Sequence, residues 1–176
     1  MKQPAHFAEV FLNPGEYHFG KRNTRIRTLL GSCVAITLWH PKLHVGGMCH
    51  YLLPTRKRDG TDQYDAKYAD EALYLLFREV AKTGASVQDF EVKMFGGGNM
   101  FPHVQSSFAN HVGKKNAEAG RQLARRHGMR HMGEDLEGSG HRNVIFDLWS
   151  GHVWVKHNAF ARVVVPPSAP IRWQPC

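Results

Sequence analysis

A chain of 176 residues is long enough for one domain with a substantial core and short for two. Its 42% hydrophobic and 22% charged content argues against disorder, and no apolar run approaches the roughly 20 residues of a membrane-spanning helix. The net charge of +8 favours an acidic partner without naming its kind, and three cysteines without CxxC spacing argue against a disulfide framework and a structural zinc knot. Met1 to Pro14 lacks the basic region and apolar run of a secretory signal, so a cytoplasmic protein with free thiols is expected.

Glu9 to Tyr17 and Arg25 to Leu30 flank the turn-prone Asn13-Pro14-Gly15 and read as short strands or an irregular approach to a sheet. The run Val34 to Trp39 is apolar, rich in β-branched residues and too short for a typical helix, which predicts a buried strand. Val45 to Leu53 reads as its return strand, with Gly46-Gly47 marking a bulge or a close backbone approach. Lys67 to Lys82 carries Ala69, Ala72, Leu73, Leu75, Leu76 and Val80 at helical spacing, and Gly84 ends it. Phe90 to Phe95 reads as a strand that runs into a turn at Gly96-Gly97-Gly98. That turn lacks the GKS or GKT ending of a phosphate loop. Lys114 to His127 is a second amphipathic helix with Ala117, Leu123 and Ala124 inward, and Asn143 to Leu148 and His152 to Lys156 are strands. This order predicts a layered α/β or α+β domain over residues 1–160, followed by a Pro-rich extension over 161–176.

A turn at His40-Pro41-Lys42-Leu43 would pair 39 with 44 and set Cys33 directly opposite His50, with Cβ atoms roughly 4.5 to 5.5 Å apart. An imidazolium at that distance lowers a thiol pKa and makes a nucleophilic thiolate, with the histidine as proton carrier. Gly31 and Ser32 would let the chain turn tightly and aim backbone amides at the same space, and Thr28 could orient the imidazole. Cys49 alternates to the other face and reads as core. Cysteines are packed more often than catalytic, so spacing alone leaves both readings of the hairpin open. Two rivals use other residues. A zinc site would need His44, Cys49 and His50 with His103 or His111. A nucleic-acid module would use Arg121, Arg125, Arg126 and Arg56-Lys57-Arg58.

Several ordered segments decide between them: LGSCVA at Leu30 to Ala35, GGMCHYLLP at Gly46 to Pro54, KMFGGGNMF at Lys93 to Phe101, GKKN at Gly113 to Asn116 and GEDLEGSGHRNVIFD at Gly133 to Asp147. Together they resemble the CheD family of chemoreceptor glutamine deamidases over most of the chain. The resemblance implies a single-domain three-layer α/β/α sandwich with a mixed sheet. It also implies hydrolysis of receptor glutamine side chains to glutamate with release of ammonia. It maps the family's nucleophile to Cys33, its base to His50 and its third functional residue to Thr28, and it calls for no cofactor and no metal. The implied partners are the helical cytoplasmic regions of methyl-accepting chemotaxis receptors and, in some bacteria, a CheC-type phosphatase. A non-catalytic chemotaxis scaffold is the alternative on the same fold. Glu137 departs from the family pattern, which more often has glycine there.

Overall fold

The computed structural model describes residues 3–58, 60, 63–101 and 109–160, so the extension expected over 161–176 lies outside the described residues. Among the described residues nine strands and two α-helices follow one another as β1 (Ala8–Leu12), β2 (Tyr17–Lys21), β3 (Thr24–Leu30), β4 (Val34–His40), β5 (Val45–Tyr51), α1 (Ala69–Ala81), β6 (Glu91–Gly96), α2 (Ala109–Arg126), β7 (Arg130–Leu136), β8 (His141–Asp147) and β9 (His152–Asn158). They form a four-stranded sheet in the order β1-β3-β8-β9 and a five-stranded sheet in the order β2-β5-β4-β6-β7. Both sheets are mixed: β1 runs parallel to β3 and β6 parallel to β7, while the other pairs are antiparallel.

The continuous apolar run of β4 is buried on both faces, which is why it does not alternate. Val34, Ile36 and Leu38 point to one side with Cys49 and Tyr51 of β5, under Leu73, Leu76 and Val80 of α1 and Leu123 of α2. Ala35 and Met48 point to the other side and meet Ile26, Leu30, Val144 and Phe146 of the four-stranded sheet. β3 does alternate, with Thr24, Ile26, Thr28 and Leu30 buried and Arg27 and Leu29 exposed, because only its inner face is covered. The fold is therefore of the expected mixed α/β class in three layers. Among the described residues the third layer is a second sheet, with both helices lying on the far side of the first.

α1 presents Ala69, Ala72, Leu73, Leu76 and Val80 inward as its spacing predicts, whereas Leu75 is only half-buried at the edge of that face. α2 begins earlier than its apolar pattern and turns a stripe of Gly113, Asn116, Ala117, Gly120, Leu123 and Ala124 to the sheet. β7 is, with β2 at the opposite edge of the same sheet, an element that the pattern does not reveal. It is an edge strand, largely exposed and polar, and a bulge between Val92 and Lys93 interrupts its pairing with β6.

Candidate active site

The hairpin of β4 and β5 is present, but its register differs by two residues from the expected one. Ala35 lies opposite His50 and Val34 opposite Tyr51. The loop is Pro41 to His44, closed by the His40–Val45 pair, with His44 at φ +51° and its amide donating to the His40 carbonyl at 3.0 Å. His40 Nδ1 accepts from the amides of Lys42 and Leu43 at 3.2 Å each, so the histidine side chain holds the longer turn open. No bulge is needed, since the ladder runs unbroken through Gly46 and Gly47. Cys33 precedes β4 and packs, like Ala35, toward the inter-sheet core. It is thus a diagonal neighbour of His50 on the same face.

His50 is held from the opposite sheet. Thr28 Oγ1 lies 2.8 Å from His50 Nδ1 and donates its own proton to the Leu12 carbonyl at 2.8 Å. A carbonyl only accepts and the hydroxyl has one proton, so the hydroxyl oxygen accepts from Nδ1–H. That fixes the tautomer with an unprotonated Nε2, which is buried and has no hydrogen-bond partner among the described residues. The His50 backbone is equally fixed, its carbonyl accepting from Gly15 N at 2.8 Å and its amide donating to Glu16 O at 2.9 Å. Burial lowers the imidazole pKa to about 4, against weaker opposing pulls from the Leu12 carbonyl and the Glu16 carboxylate.

Cys33 is half-buried, and burial pushes its thiol up, partly offset by its own backbone N–H. Both shifts favour neutral forms. The resting pair is thiol and imidazole rather than the thiolate and imidazolium expected from proximity, and among the described residues no hydrogen bond joins the two side chains. All three carbonyls of the turn before β4 are tied down. Gly98 N donates to Gly31 O at 2.8 Å, Asn116 Nδ2 to Ser32 O at 3.0 Å and Gly97 N to Cys33 O at 2.7 Å. The amides of Ser32 and Cys33 donate to no other residue among those described. Gly31 is not in the left-handed region. A Cβ there would fall 2.9 Å from Met100 Sδ, so a larger residue would displace the Met100 side chain.

The rival sites come apart. Cys49 is fully buried in the helix-facing core with its thiol pushed up to about 12, on the face opposite His50, while His44 sits in the far turn of the hairpin. His103 and the His111 side chain lie outside the described residues, and among those described no cluster of three or more His, Cys, Asp or Glu could hold a metal ion. Three of the six basic residues face carboxylates among the described residues: Arg121 pairs with Glu134 and Glu137, Arg125 with Glu118, and Arg56 with Glu71. Glu137 stands at φ +67°, a conformation that suits glycine, with its carboxylate 2.6 Å from Arg121. Two further buried residues escape the sequence reading. Asn116 grips the turn before Cys33. Arg142, opposite Leu30 in the ladder, is bound to Asp135 and to the Glu137 carbonyl.

A thiol on a pinned turn, a neutral imidazole with a free nitrogen on the same face and a hydroxyl that holds the other nitrogen form the kind of set used by cysteine-dependent acyl-transfer enzymes. The chain belongs to the CheD family: residues 52–157 match the family described as CheD chemotactic sensory transduction. Relatives agree over more of the chain. It is 49% identical to a probable chemoreceptor glutamine deamidase CheD of Pseudomonas savastanoi pv. phaseolicola and 48% identical to one of Pseudomonas syringae pv. syringae, each over 89% of both chains. A third, from Pseudomonas fluorescens, is 47% identical over the same shares. A span of that length on this chain necessarily includes residues 28, 33 and 50.

Proposed function

We propose that this protein is a chemoreceptor glutamine deamidase that works through a Cys33 thioester, with His50 as base and Thr28 as the group that holds it. The observation that carries the reading is the Thr28–His50 hydrogen bond across the two sheets, which leaves Nε2 bare on the face that Cys33 shares. The relatives' names supply the substrate class, glutamine side chains of chemoreceptors, and the helical cytoplasmic region is the part that the family resemblance implies. The absence of any helix long and apolar enough to cross a membrane, among the described residues, is compatible with action in the cytoplasm.

In the first half-reaction His50 Nε2 takes the Cys33 thiol proton as sulfur attacks the carboxamide carbon of the glutamine. The amides of Cys33 and Ser32, which donate to no other residue among those described, receive the developing oxyanion, with Gly31 giving the turn its shape. The imidazolium then returns the proton to the leaving nitrogen, ammonia departs and a thioester remains. In the second half-reaction His50 activates water, which displaces sulfur and yields glutamate and the thiol. Neutral resting groups suit this scheme, because proton transfer accompanies attack and no buried ion pair has to be maintained beforehand.

The test is mass spectrometry of receptor cytoplasmic fragments incubated with wild type, Cys33→Ala and His50→Ala. Exchange of amide nitrogen for hydroxyl oxygen by nucleophilic catalysis adds about 1 Da at glutamine, and it should appear with wild type alone. Equal conversion by all three proteins would sink the mechanism, and no conversion by any would favour the scaffold reading.

A further inference from the structure

Asn116 lies on α2, yet its amide is committed to the hairpin. Its Nδ2 donates at 3.0 Å to Ser32 O, just before the proposed nucleophile, and at 2.7 Å to Leu52 O, two residues beyond the proposed base. The ladder of β4 and β5 ends at Val34 and Tyr51, so one side chain closes the end of the hairpin where the next backbone rung would have been. Both Nδ2 hydrogens are thereby used. The residue is fully buried, and its Oδ1 is left without a partner. α2 is held in register at this point by two further contacts. Tyr51 Oη donates to the Asn116 carbonyl at 2.7 Å, and Gly113 lies so close to Gly97 that a Cβ on it would come within 2.4 Å of the Gly97 oxygen.

We infer that Asn116 is a positioning residue that aims the Cys33 amide at the oxyanion, an inference that rests on the reading of Cys33 as the nucleophile. The Ser32 carbonyl and the Cys33 N–H belong to one planar trans peptide and point in opposite directions. Fixing the oxygen with Asn116 therefore fixes the N–H, which points away from α2 and makes no bond to another residue among those described. The Gly31 and Cys33 carbonyls are held by backbone amides of the Gly97-Gly98 turn, whereas the peptide that bears the Cys33 amide is held by this side chain.

The experiment compares wild type with Asn116→Ala, Tyr51→Phe and Cys33→Ala. It measures ammonia release from a receptor cytoplasmic fragment, iodoacetamide alkylation of Cys33 by peptide mass spectrometry, and thermal unfolding. Losing one aimed oxyanion donor should lower kcat roughly 100-fold in Asn116→Ala while KM stays within about threefold. Alkylation builds no oxyanion, so the Cys33 rate should stay within about threefold of wild type. Tyr51→Phe removes a tether of the same helix but leaves the amide clamp, and should retain kcat within about threefold. The inference is overturned if Asn116→Ala keeps wild-type kcat, if alkylation falls in parallel with deamidation, or if Tyr51→Phe loses as much. Should the alanine variant not fold, Asn116→Leu, of similar shape and without donors, carries the same expectation. Failure of both to fold would make Asn116 a residue of the fold and overturn the positioning role. Full activity in Cys33→Ala would instead defeat the nucleophile reading, whereas a silent Cys33→Ala beside a fully active Asn116→Ala defeats only this inference.

Discussion

Cys49 and His50 are consecutive on β5 and live in different worlds. The face that carries Cys49 is close-packed hydrocarbon under two helices, and its thiol is pushed to about 12. The face that carries His50 also buries Thr28, Arg142 and the half-buried Cys33 between two sheets. Polar groups survive there because nearly every one is tied to a named partner. Among the described residues the buried atoms left over between the sheets are His50 Nε2, on the proposed base, and Arg142 Nη1; Asn116 Oδ1, also unpartnered, lies on the helix side. A sheet buried on both sides thus separates stability from chemistry by strand alternation alone.

The comparison is broken most directly by exchanging the two cysteines' fates. Cys33→Ala should lower deamidation by at least roughly 10³-fold with little change in melting temperature, as expected when a nucleophile is removed. Cys49→Ala should leave kcat near wild type and lower stability by about 1 kcal/mol through the small cavity it opens. Ammonia release and thermal melts of both variants check this, and a catalytic loss in Cys49→Ala would erase the distinction between the faces.

Thr28→Val keeps the shape of the inner face and removes its link to the base. It should lower kcat roughly 100-fold by freeing the ring's tautomer and orientation, and cost about 1–3 kcal/mol for the partners left unsatisfied. Steady-state kinetics and denaturant unfolding of the same preparation read both effects.

The pH dependence follows from the sign of the His50 shift. The folded state prefers neutral imidazole, so the stability associated with it is full above pH 6.5 and lost as pH falls toward about 4. The whole loss amounts to about 3 kcal/mol at 1.36 kcal/mol per unit. Urea midpoints at pH 7 and pH 4.5 should differ more for wild type than for His50→Gln. The acid limb of kcat/KM should lie nearer pH 4 than 6.5, since the base works when neutral. A limb at 6.5 would mean that the ring is solvated in the working enzyme.

The smallest effect is expected at Glu137. Changing it to glycine removes a left-handed non-glycine residue, worth roughly 1–2 kcal/mol, and loses a partly exposed pair with Arg121, worth about 0.2–1 kcal/mol. The net gain should lie between about 0 and 2 kcal/mol, with deamidation unchanged.

What the sequence conveys follows from range. The buried strand Val34 to Trp39, the helix with Ala69, Leu73, Leu76 and Val80, and the sidedness of Cys33 against Cys49 are local periodicities and are found where expected. The hairpin register is not local in this sense. It depends on His40 accepting two amides and on His44 entering the left-handed region, which lengthens the loop and moves Cys33 from opposite to diagonal. β7 is hidden because an exposed edge strand has no apolar face to alternate. Asn116 is hidden because its partners are main-chain carbonyls 84 and 64 residues away, which leave no mark on the sequence around it.

The hold on His50 also carries a consequence for how the protein matures. Thiol and imidazole are encoded on one hairpin and can meet as soon as it closes. The hydroxyl that sets the ring's proton sits on β3, whose two neighbours are β1 and the late strand β8. A ribosome-bound chain that has not yet made residues 141–147 would bear both reactive groups with the ring unfixed. In the proposed mechanism, competence would then arrive only when β8 does.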